Sequence, residues 1–233
     1  MRRSIRESLN AARRSGRPVA LTTNLRSGEQ RLVYEGESEG DLCLDVDMIA
    51  AAGEALRRDE CATFDTPAGR VFVQVFNPLP RLIVVGAVHI AQPLARMATL
   101  AGYGVTVIDP RRAFAESEKF AGFSVSDEWP DDALTRLKPD RRTAVVTLTH
   151  DPKLDDPALS TALRSPAFYI GALGSKKTHS ARLARLREAG FSDDVLARIR
   201  GPVGLAIGAL SPAEIALSIM AEVTQVRRRG DVA

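Results

Sequence analysis

The sequence predicts an α/β protein in which a small N-terminal α+β module precedes a doubly wound parallel sheet. From Arg81 onward, short apolar runs alternate with helical stretches, which is typical of parallel strands joined by crossover helices. The preceding residues lack that alternation and carry hairpin signals instead. Between the two patterns, Asn77-Pro78-Leu79-Pro80 interrupts any regular element. We therefore predict a module over 1–76, a linker over 77–80 and a second domain over 81–233.

The N-terminal module begins with a predicted amphipathic helix that places Ile5, Leu9 and Ala12 on one face. Strand-like runs at 18–25 and 30–34 flank Ser27-Gly28, which predicts a hairpin. The pattern then predicts a helix over 47–56 and two more strands, 61–64 and 70–76, on either side of a turn.

The second domain opens with Leu82–Val85, a continuous apolar run that ends at Gly86, as expected of a buried parallel strand. The remaining elements alternate: strands over 105–108, 143–147 and 167–170, and helices over 90–101, 131–137, 157–164, 176–189, 193–198 and 213–228. This order predicts a Rossmann-like domain that binds its ligand at the carboxyl edge of the sheet.

Composition excludes several classes of protein. Apolar residues make up 45% and charged residues 26% of the chain, which excludes wholesale disorder. Two cysteines, Cys43 and Cys61, are too few for a disulfide framework and fit a reducing compartment. No window reaches the roughly 18 apolar residues of a membrane-spanning helix, and Glu7 and Asn10 interrupt any signal peptide. The basic residues are spread along the chain without interleaved aromatics, so we expect a cytoplasmic protein with no membrane span and no nucleic-acid partner.

The turn after the first parallel strand reads Gly86-Ala87-Val88-His89-Ile90-Ala91. It matches a dinucleotide fingerprint at the first and third small positions, but Val88 occupies the second, where glycine lets a pyrophosphate approach the backbone. Asp109 ends the next strand, where an acidic residue would bond a ribose hydroxyl. A Rossmann turn without a nucleotide remains the alternative.

Two further strand ends carry polar residues. His150 and Asp151 follow the strand at 143–147, where they suit cofactor contact or proton transfer, unless Asp151 only caps the next helix. Gly171 to Thr178 form the strongest local signal of a ligand site in the sequence. Here a predicted strand leads through Gly174 to a helix that has Ser175 at its N-cap position. Lys176 and Lys177 in a first turn oppose the helix dipole, which favours a bound anion over a plain strand–helix turn.

The histidines at 89, 150 and 179 all fall near the same predicted edge, but their spacing matches no zinc motif, and we predict no metal site. Gly204 and Gly208, before the last helix, serve either a ligand or close packing.

Residues from about 71 to 228 resemble the C-terminal domain of the XdhC/CoxI family, accessory proteins of molybdenum hydroxylases such as xanthine dehydrogenase and carbon monoxide dehydrogenase. The resemblance rests on ordered stretches that include RLIVVGAVHIA (81–91), VTVIDPR (105–111), LTHDPKL (148–154), YIGALGSKKT (169–178), RLARLREAGF (182–191) and PVGLAIGALSPAEIALSIMAE (202–222). Val88 stands where the family usually has glycine. In the divergent N-terminal module, only Cys43 remains of the family's usual Gly-Gly-Cys ending; we favour a buried packing role for it, with a thiolate ligand as the alternative.

The resemblance implies a chaperone, rather than a catalyst of substrate turnover, that binds the molybdenum cofactor as molybdopterin or its dinucleotide form. It would help to sulfurate the cofactor and insert it into an apo molybdenum hydroxylase. The implied partners are that hydroxylase, a cysteine desulfurase and a second copy of the chain. No catalytic residue is assigned, and the cofactor-binding residues would be Gly86, Ala87, His89, Asp109, Arg111, His150, Asp151, Gly171, Gly174, Ser175, Lys176, Lys177, Thr178, Gly204 and Gly208.

Two other interpretations remain open from the residues alone. An NAD(P)-dependent oxidoreductase would use the same edge, although Val88 and the lack of a Tyr-x-x-x-Lys motif weigh against it. A docking scaffold without a ligand would retain the fold and leave the edge unused.

Overall fold

A computed structural model describes residues 2–111 and 120–229. The chain divides into two compact units, one that ends at Pro78 and one that begins at Leu79.

The N-terminal unit is a five-stranded antiparallel sheet with one helix on each face. Its elements are α1 (Arg3–Ser15), β1 (Val19–Asn24), β2 (Gln30–Val33), β3 (Ser38–Gly40), α2 (Val46–Arg58), β4 (Ala62–Thr66) and β5 (Gly69–Phe76), in the sheet order β3-β2-β1-β5-β4. Ile5, Leu9 and Ala12 of α1 pack on one face of the sheet, as predicted. Ala52 and Ala55 of α2 pack on the other.

The second unit is a six-stranded parallel sheet. Its elements are β6 (Arg81–Val85), α3 (Ala91–Leu100), β7 (Gly104–Ile108), β8 (Ser124–Ser126), α4 (Pro130–Leu137), β9 (Thr143–Thr147), α5 (Pro152–Leu163), β10 (Tyr169–Ala172), α6 (Lys176–Glu188), α7 (Asp193–Leu196), β11 (Ile199–Arg200) and α8 (Pro212–Arg229). The sheet order is β11-β10-β9-β6-β7-β8. Counted within the domain, this is the 3-2-1-4-5-6 order of a Rossmann fold. The predicted fold class is therefore confirmed.

Helices cover both faces of the parallel sheet. Helices α3 and α8 pack with alternate residues of β6 and β9, such as Val84 and Val146, on one face. Helices α4, α5, α6 and α7 pack on the other face with the intervening residues, such as Ile83 and Val145. The strands are nearly continuous in apolar residues because both of their faces are buried. None of the described helices has the length and hydropathy needed to cross a membrane.

Candidate functional site

The carboxyl ends of the parallel strands form an even row. Val85 of β6 pairs with Ile108 of β7 on one side and with Thr147 of β9 on the other, and Thr147 pairs with Ala172 of β10. Most of the predicted site residues follow directly after these strand ends, so the sheet brings them to one edge. The switch point of the topology lies between β6 and β9, where the chain winds in opposite directions on either side.

Asp109 stabilises the turn after β6 from within the protein. Its side chain is fully buried, and its Oδ2 accepts hydrogen bonds from the amide of Ala87 at 2.8 Å and from Arg111 Nη2 at 2.7 Å. Its Oδ1 accepts from the amide and Nε of Arg111, at 3.0 and 2.8 Å. These four bonds use all four lone-pair positions of the carboxylate. Burial alone would raise the pKa of Asp109, but the Arg111 and amide bonds outweigh it and hold that pKa below its usual range.

The ribose contact expected of Asp109 therefore has no free carboxylate lone pair in this arrangement. The amide of Ala87 is likewise used by Asp109, and the amide of Gly86 donates to the carbonyl of Ile108 at 2.8 Å. His89 is exposed in the same turn, and Val88 packs against the apolar cluster beside α3.

The segment after β9 is fixed by the hydroxyl of Thr149. That hydroxyl donates to Asp155 Oδ1 at 2.6 Å and accepts from the amide of Asp151 at 3.1 Å. His150 is exposed and has a φ of +61°, a conformation that a residue other than glycine keeps only when its surroundings enforce it. Asp151 caps α5, since its side chain accepts from the amide of Lys153 at 3.0 Å. The capping alternative considered for Asp151 is thus present in the structure.

The turn between β10 and α6 has the features of an anion site. Gly174 has a φ of +145°, and Ser175 is the N-cap residue, with its hydroxyl accepting from the amide of Thr178 at 3.1 Å. The amides of residues 174–177 donate to no acceptor in the described part of the chain. Lys176 and Lys177 are exposed in the first turn of α6. Free amides, a helix dipole and two ammonium groups all favour a negative charge here.

A buried guanidinium lies against this turn. Arg182 is only 2% exposed, and its Nη2 donates to the carbonyl of Leu173 at 2.8 Å. The same nitrogen is 3.4 Å from Asp155 Oδ2 and 3.8 Å from the position that a Cβ on Gly174 would take. The Nε and Nη1 of Arg182 have no acceptor among the described residues. A buried cation with two unsatisfied donors is costly in isolation, and this one lies beside a turn that has the features of an anion site.

Asp155 links the buried guanidinium of Arg182 to the segment after β9. It is 1% exposed and receives the Thr149 hydroxyl on one oxygen while it faces Arg182 with the other. Burial raises the pKa of Asp155, although Thr149 and Arg182 both favour its charged form. The two segments that follow β9 and β10 are therefore joined beneath the surface by one hydrogen-bonded and charged group.

The three histidines do not form a metal site. His89 and His150 are exposed, whereas His179 packs so tightly on the backbone of Gly201 that a Cβ there would overlap its ring. Burial, and then the charge of Arg182, lower the pKa of His179. Over the residues that the structure describes, no group of three His, Cys, Asp or Glu side chains is arranged to hold a metal ion.

Two of the predicted glycines serve packing. Gly171 is buried within β10, where a Cβ would lie 2.5 Å from Val203 and 2.8 Å from the Tyr169 ring. Gly204 lies against α8, and a Cβ there would overlap the hydroxyl of Ser218. Gly208 differs from both, because nothing lies within 4 Å of the space its side chain would occupy.

The favoured packing role for Cys43 is wrong, because its side chain is exposed in the N-terminal unit. A small thiol packs only where apolar neighbours enclose it, and the segment between β3 and α2 leaves this one in solvent. The alternative role as a thiolate ligand stays a prediction.

Sequence reasoning missed Thr149 and Asp155. The signal for Asp155 was present, since Asp155, Ala158, Leu159 and Ala162 recur at helical spacing and all four are buried. A lone charge on an otherwise apolar helix face indicates a buried partner of opposite charge. Arg182 is that partner and precedes the buried Leu186 by one turn of α6. Thr149 carries no comparable signal in the sequence.

The second unit matches a known protein family, and curated relatives align with about two thirds of the chain. Residues 82–223 match the XdhC Rossmann domain. The molybdenum cofactor insertion chaperone PaoD of Escherichia coli K12 is 35% identical over 152 residues, which are 65% of this chain and 42% of PaoD. A probable xanthine dehydrogenase component of Bacillus subtilis 168 is 34% identical over 160 residues, which are 68% of this chain and 46% of that protein. This chain thus spans less than half the length of either relative.

A solved structure shares the architecture. The crystal structure of a xanthine dehydrogenase from Bacillus halodurans aligns with a TM-score of 0.73 and 26% identity, over 97% of this chain and 67% of that one. Since the Rossmann-domain match also covers more than half of the sequence, the chain belongs to the XdhC family.

Proposed function

We propose that this chain is a maturation factor that binds the molybdenum cofactor and assists its sulfuration and its insertion into a molybdenum hydroxylase. The names of its relatives support the proposal, since PaoD is a molybdenum cofactor insertion chaperone and two other relatives carry xanthine dehydrogenase in their names. These relatives favour a chaperone over an NAD(P)-dependent oxidoreductase or a scaffold without a ligand.

The observation that carries the proposal is Arg182, buried beside the turn between β10 and α6. Molybdopterin ends in a phosphate, and the positive charge of Arg182 favours such an anion at this turn, where its Nη2 donates to the carbonyl of Leu173. Gly174, Ser175 and Thr178 would surround that phosphate, with Lys176 and Lys177 at its exposed side.

The rest of the edge would hold the remainder of the cofactor. His89, Arg111, His150 and Asp151 follow the neighbouring strands and are exposed. We propose that His150 and Asp151 lie nearer the metal end, because they follow β9, one strand from the turn at residues 174–178, here named the phosphate turn. The bound cofactor would supply the metal centre of the recipient enzyme. The chain itself would orient the cofactor and keep it ready for transfer.

The recipient is proposed to be an apo hydroxylase of the xanthine dehydrogenase or carbon monoxide dehydrogenase type, in the cytoplasm. A cysteine desulfurase is the proposed source of sulfur, and the chain is proposed to act as a homodimer. These partners follow from the family resemblance.

The proposal is tested by removing the exposed charges of the phosphate turn. We expect Lys176→Ala with Lys177→Ala to weaken molybdenum cofactor binding by about ten-fold, because two charge-assisted contacts are lost. Binding is measured by equilibrium dialysis under anaerobic conditions, with the retained pterin quantified by fluorescence after oxidation.

The matched control is Arg141→Ala with Arg142→Ala, which removes two cations before β9, at the opposite edge of the sheet. That variant should bind as the wild type does. Equal affinity of the Lys176/Lys177 variant and the wild type would show that the phosphate is bound elsewhere.

A further inference from the structure

We propose that His150 is a specificity-determining residue whose imidazole contacts the molybdenum cofactor beyond its phosphate. This inference rests on the proposed function and states which side chain recognises the rest of the cofactor once the phosphate is bound at the phosphate turn. Three features of His150 carry it: a costly backbone conformation, neighbours that enforce that conformation, and an imidazole that the described chain does not use.

His150 has a positive φ that no helix end explains. In the described part of the chain, three residues other than glycine have a positive φ, namely Asp59, Lys138 and His150. Asp59 and Lys138 are the C-cap residues of α2 and α4, where the left-handed conformation is a common way to end a helix. His150 instead follows β9 and precedes the N-cap residue of α5. The left-handed conformation is costly for a residue with a Cβ, and glycine would adopt it without that cost.

The hydroxyl group of Thr149 fixes the backbone on both sides of His150. It donates to the buried Asp155 at 2.6 Å and accepts from the amide of Asp151 at 3.1 Å. Asp151 is held further because its side chain caps α5. None of these contacts uses the imidazole of His150. A glycine at this position would therefore keep the same contacts with less strain.

The imidazole of His150 is available to a ligand. The residue is exposed, and its side chain makes no hydrogen bond or ion pair with the residues that the structure describes. A neutral imidazole offers one donor and one acceptor to polar atoms, and its protonated form offers a positive charge to an anion. Since no hydrogen bond of the described chain uses this side chain, a histidine in so costly a conformation indicates a contact with another molecule.

His150 follows the strand next to the one that leads to the phosphate turn. Thr147 of β9 pairs with Ala172 of β10, and His150 and Ser175 are each the third residue after these paired strand ends. Neighbouring strands are about 4.8 Å apart, so a ligand that is held by its phosphate and extends toward β6 would pass the segment that carries His150. Asp155 links the two segments, because it receives the hydroxyl of the β9 segment on one oxygen and faces α6 with the other.

The test uses two substitutions that separate the imidazole from the backbone strain. His150→Ala removes the imidazole and keeps a Cβ in the left-handed conformation, so we expect about a ten-fold weaker affinity for molybdopterin and an unchanged urea midpoint. His150→Gly also relieves the strain, so the same loss of affinity should accompany a higher urea midpoint. Affinity is measured on the full chain by anaerobic equilibrium dialysis of molybdopterin with pterin fluorescence, and the midpoint by urea unfolding.

Lys138 provides the matched control. It is exposed and has the same kind of backbone conformation, but it lies between α4 and β9, at the opposite edge of the sheet. Lys138→Gly should raise the urea midpoint as His150→Gly does, because it relieves the same strain. Neither Lys138→Gly nor Lys138→Ala should change the affinity for molybdopterin.

A combined variant shows which part of the cofactor His150 contacts. His150→Ala together with Lys176→Ala and Lys177→Ala should lower the affinity by the product of the two separate factors, because contacts with separate parts of one ligand add in free energy. A combined loss no larger than that of the lysine substitutions alone would show that His150 acts on the phosphate itself, and this result would overturn the inference.

The remaining outcomes separate this inference from the proposed function. If His150→Ala binds molybdopterin as tightly as the wild type does, the inference is wrong and the proposed function stands. This includes the case in which only His150→Gly loses affinity, because backbone freedom and not the imidazole would then account for the loss. If the wild type binds no molybdopterin, the proposed function fails and the inference fails with it.

Discussion

The buried pair of Arg182 and Asp155 gives a prediction at the scale of single residues. Both side chains are only 2% exposed, so a substitution that removes one charge leaves the other without compensation. We expect Arg182→Met to lower the free energy of unfolding by about 3–5 kcal/mol. Adding Asp155→Asn should recover part of that loss, because the amide oxygen can still accept from Thr149 and no buried charge remains.

Urea unfolding followed by the fluorescence of Trp129 measures this effect. Trp129 is the single tryptophan of the chain and belongs to the unit that contains the pair. An equal loss in the single and the double variant would show that the pair does not account for the destabilisation.

Individual residues mark the limit of what the sequence could predict about the site. The strand ends and the phosphate turn could be located in the sequence. Gly174, Ser175 and the two lysines are residue types that are typical of an anion site at a helix start. The role of Asp109 could not be predicted, because it depends on Arg111 folding back onto the carboxylate and on an amide 22 positions earlier. The methyl group of Thr149 packs against Gly86, and this contact depends on the pairing of β9 beside β6, which periodicity does not reveal.

At the scale of one element, Ser175 at the start of α6 caps the helix and, in the proposed function, also contacts the phosphate of the cofactor. Ser175→Ala removes the bond to the Thr178 amide, and we expect a loss of about 1 kcal/mol in the free energy of unfolding. Ser175→Asp keeps the cap and adds a charge that the helix dipole favours, so its stability should equal or exceed that of the wild type.

The two substitutions at Ser175 should differ in binding. The carboxylate of Ser175→Asp would occupy the phosphate turn and weaken cofactor binding by at least about ten-fold through like-charge repulsion. Urea unfolding and equilibrium dialysis on the same preparations separate the two effects. Unimpaired cofactor binding by a stable Ser175→Asp variant would contradict a phosphate at this helix start.

Elements with strong periodicity or clear breaks were predicted within a few residues, as with α6, predicted over 176–189 and found over Lys176–Glu188. The strands of two or three residues, β3, β8 and β11, were missed because so few residues show no period. Helix α5 begins at Pro152, not near Pro157 as predicted. Pro152 occupies the first turn, where its missing N–H costs nothing, and Asp151 supplies the cap.

At the scale of the whole molecule, the sequence predicted two units because apolar runs alternate with helical stretches only from Arg81 onward. In the N-terminal unit, β4 alternates half-buried and exposed positions, whereas β9 of the second unit is buried at every position. The βαβ alternation predicted a doubly wound parallel sheet, but it did not predict the order of the strands.

Each buried apolar cluster draws its residues from a single unit, which gives a last prediction. The two large clusters contain no residue before Leu82, so a fragment of residues 79–233 retains the whole core of the Rossmann domain. We expect this fragment to unfold in one cooperative transition, with Trp129 fluorescence and far-ultraviolet circular dichroism giving the same midpoint.

A fragment that begins at Ala87 is the control, because it lacks β6, which pairs with both β7 and β9 at the centre of the sheet. That shorter fragment should show no cooperative transition, since its remaining strands lose their common neighbour and the cluster residues Leu82 to Val85. A gradual transition of the 79–233 fragment would mean that the N-terminal unit is needed to complete the fold.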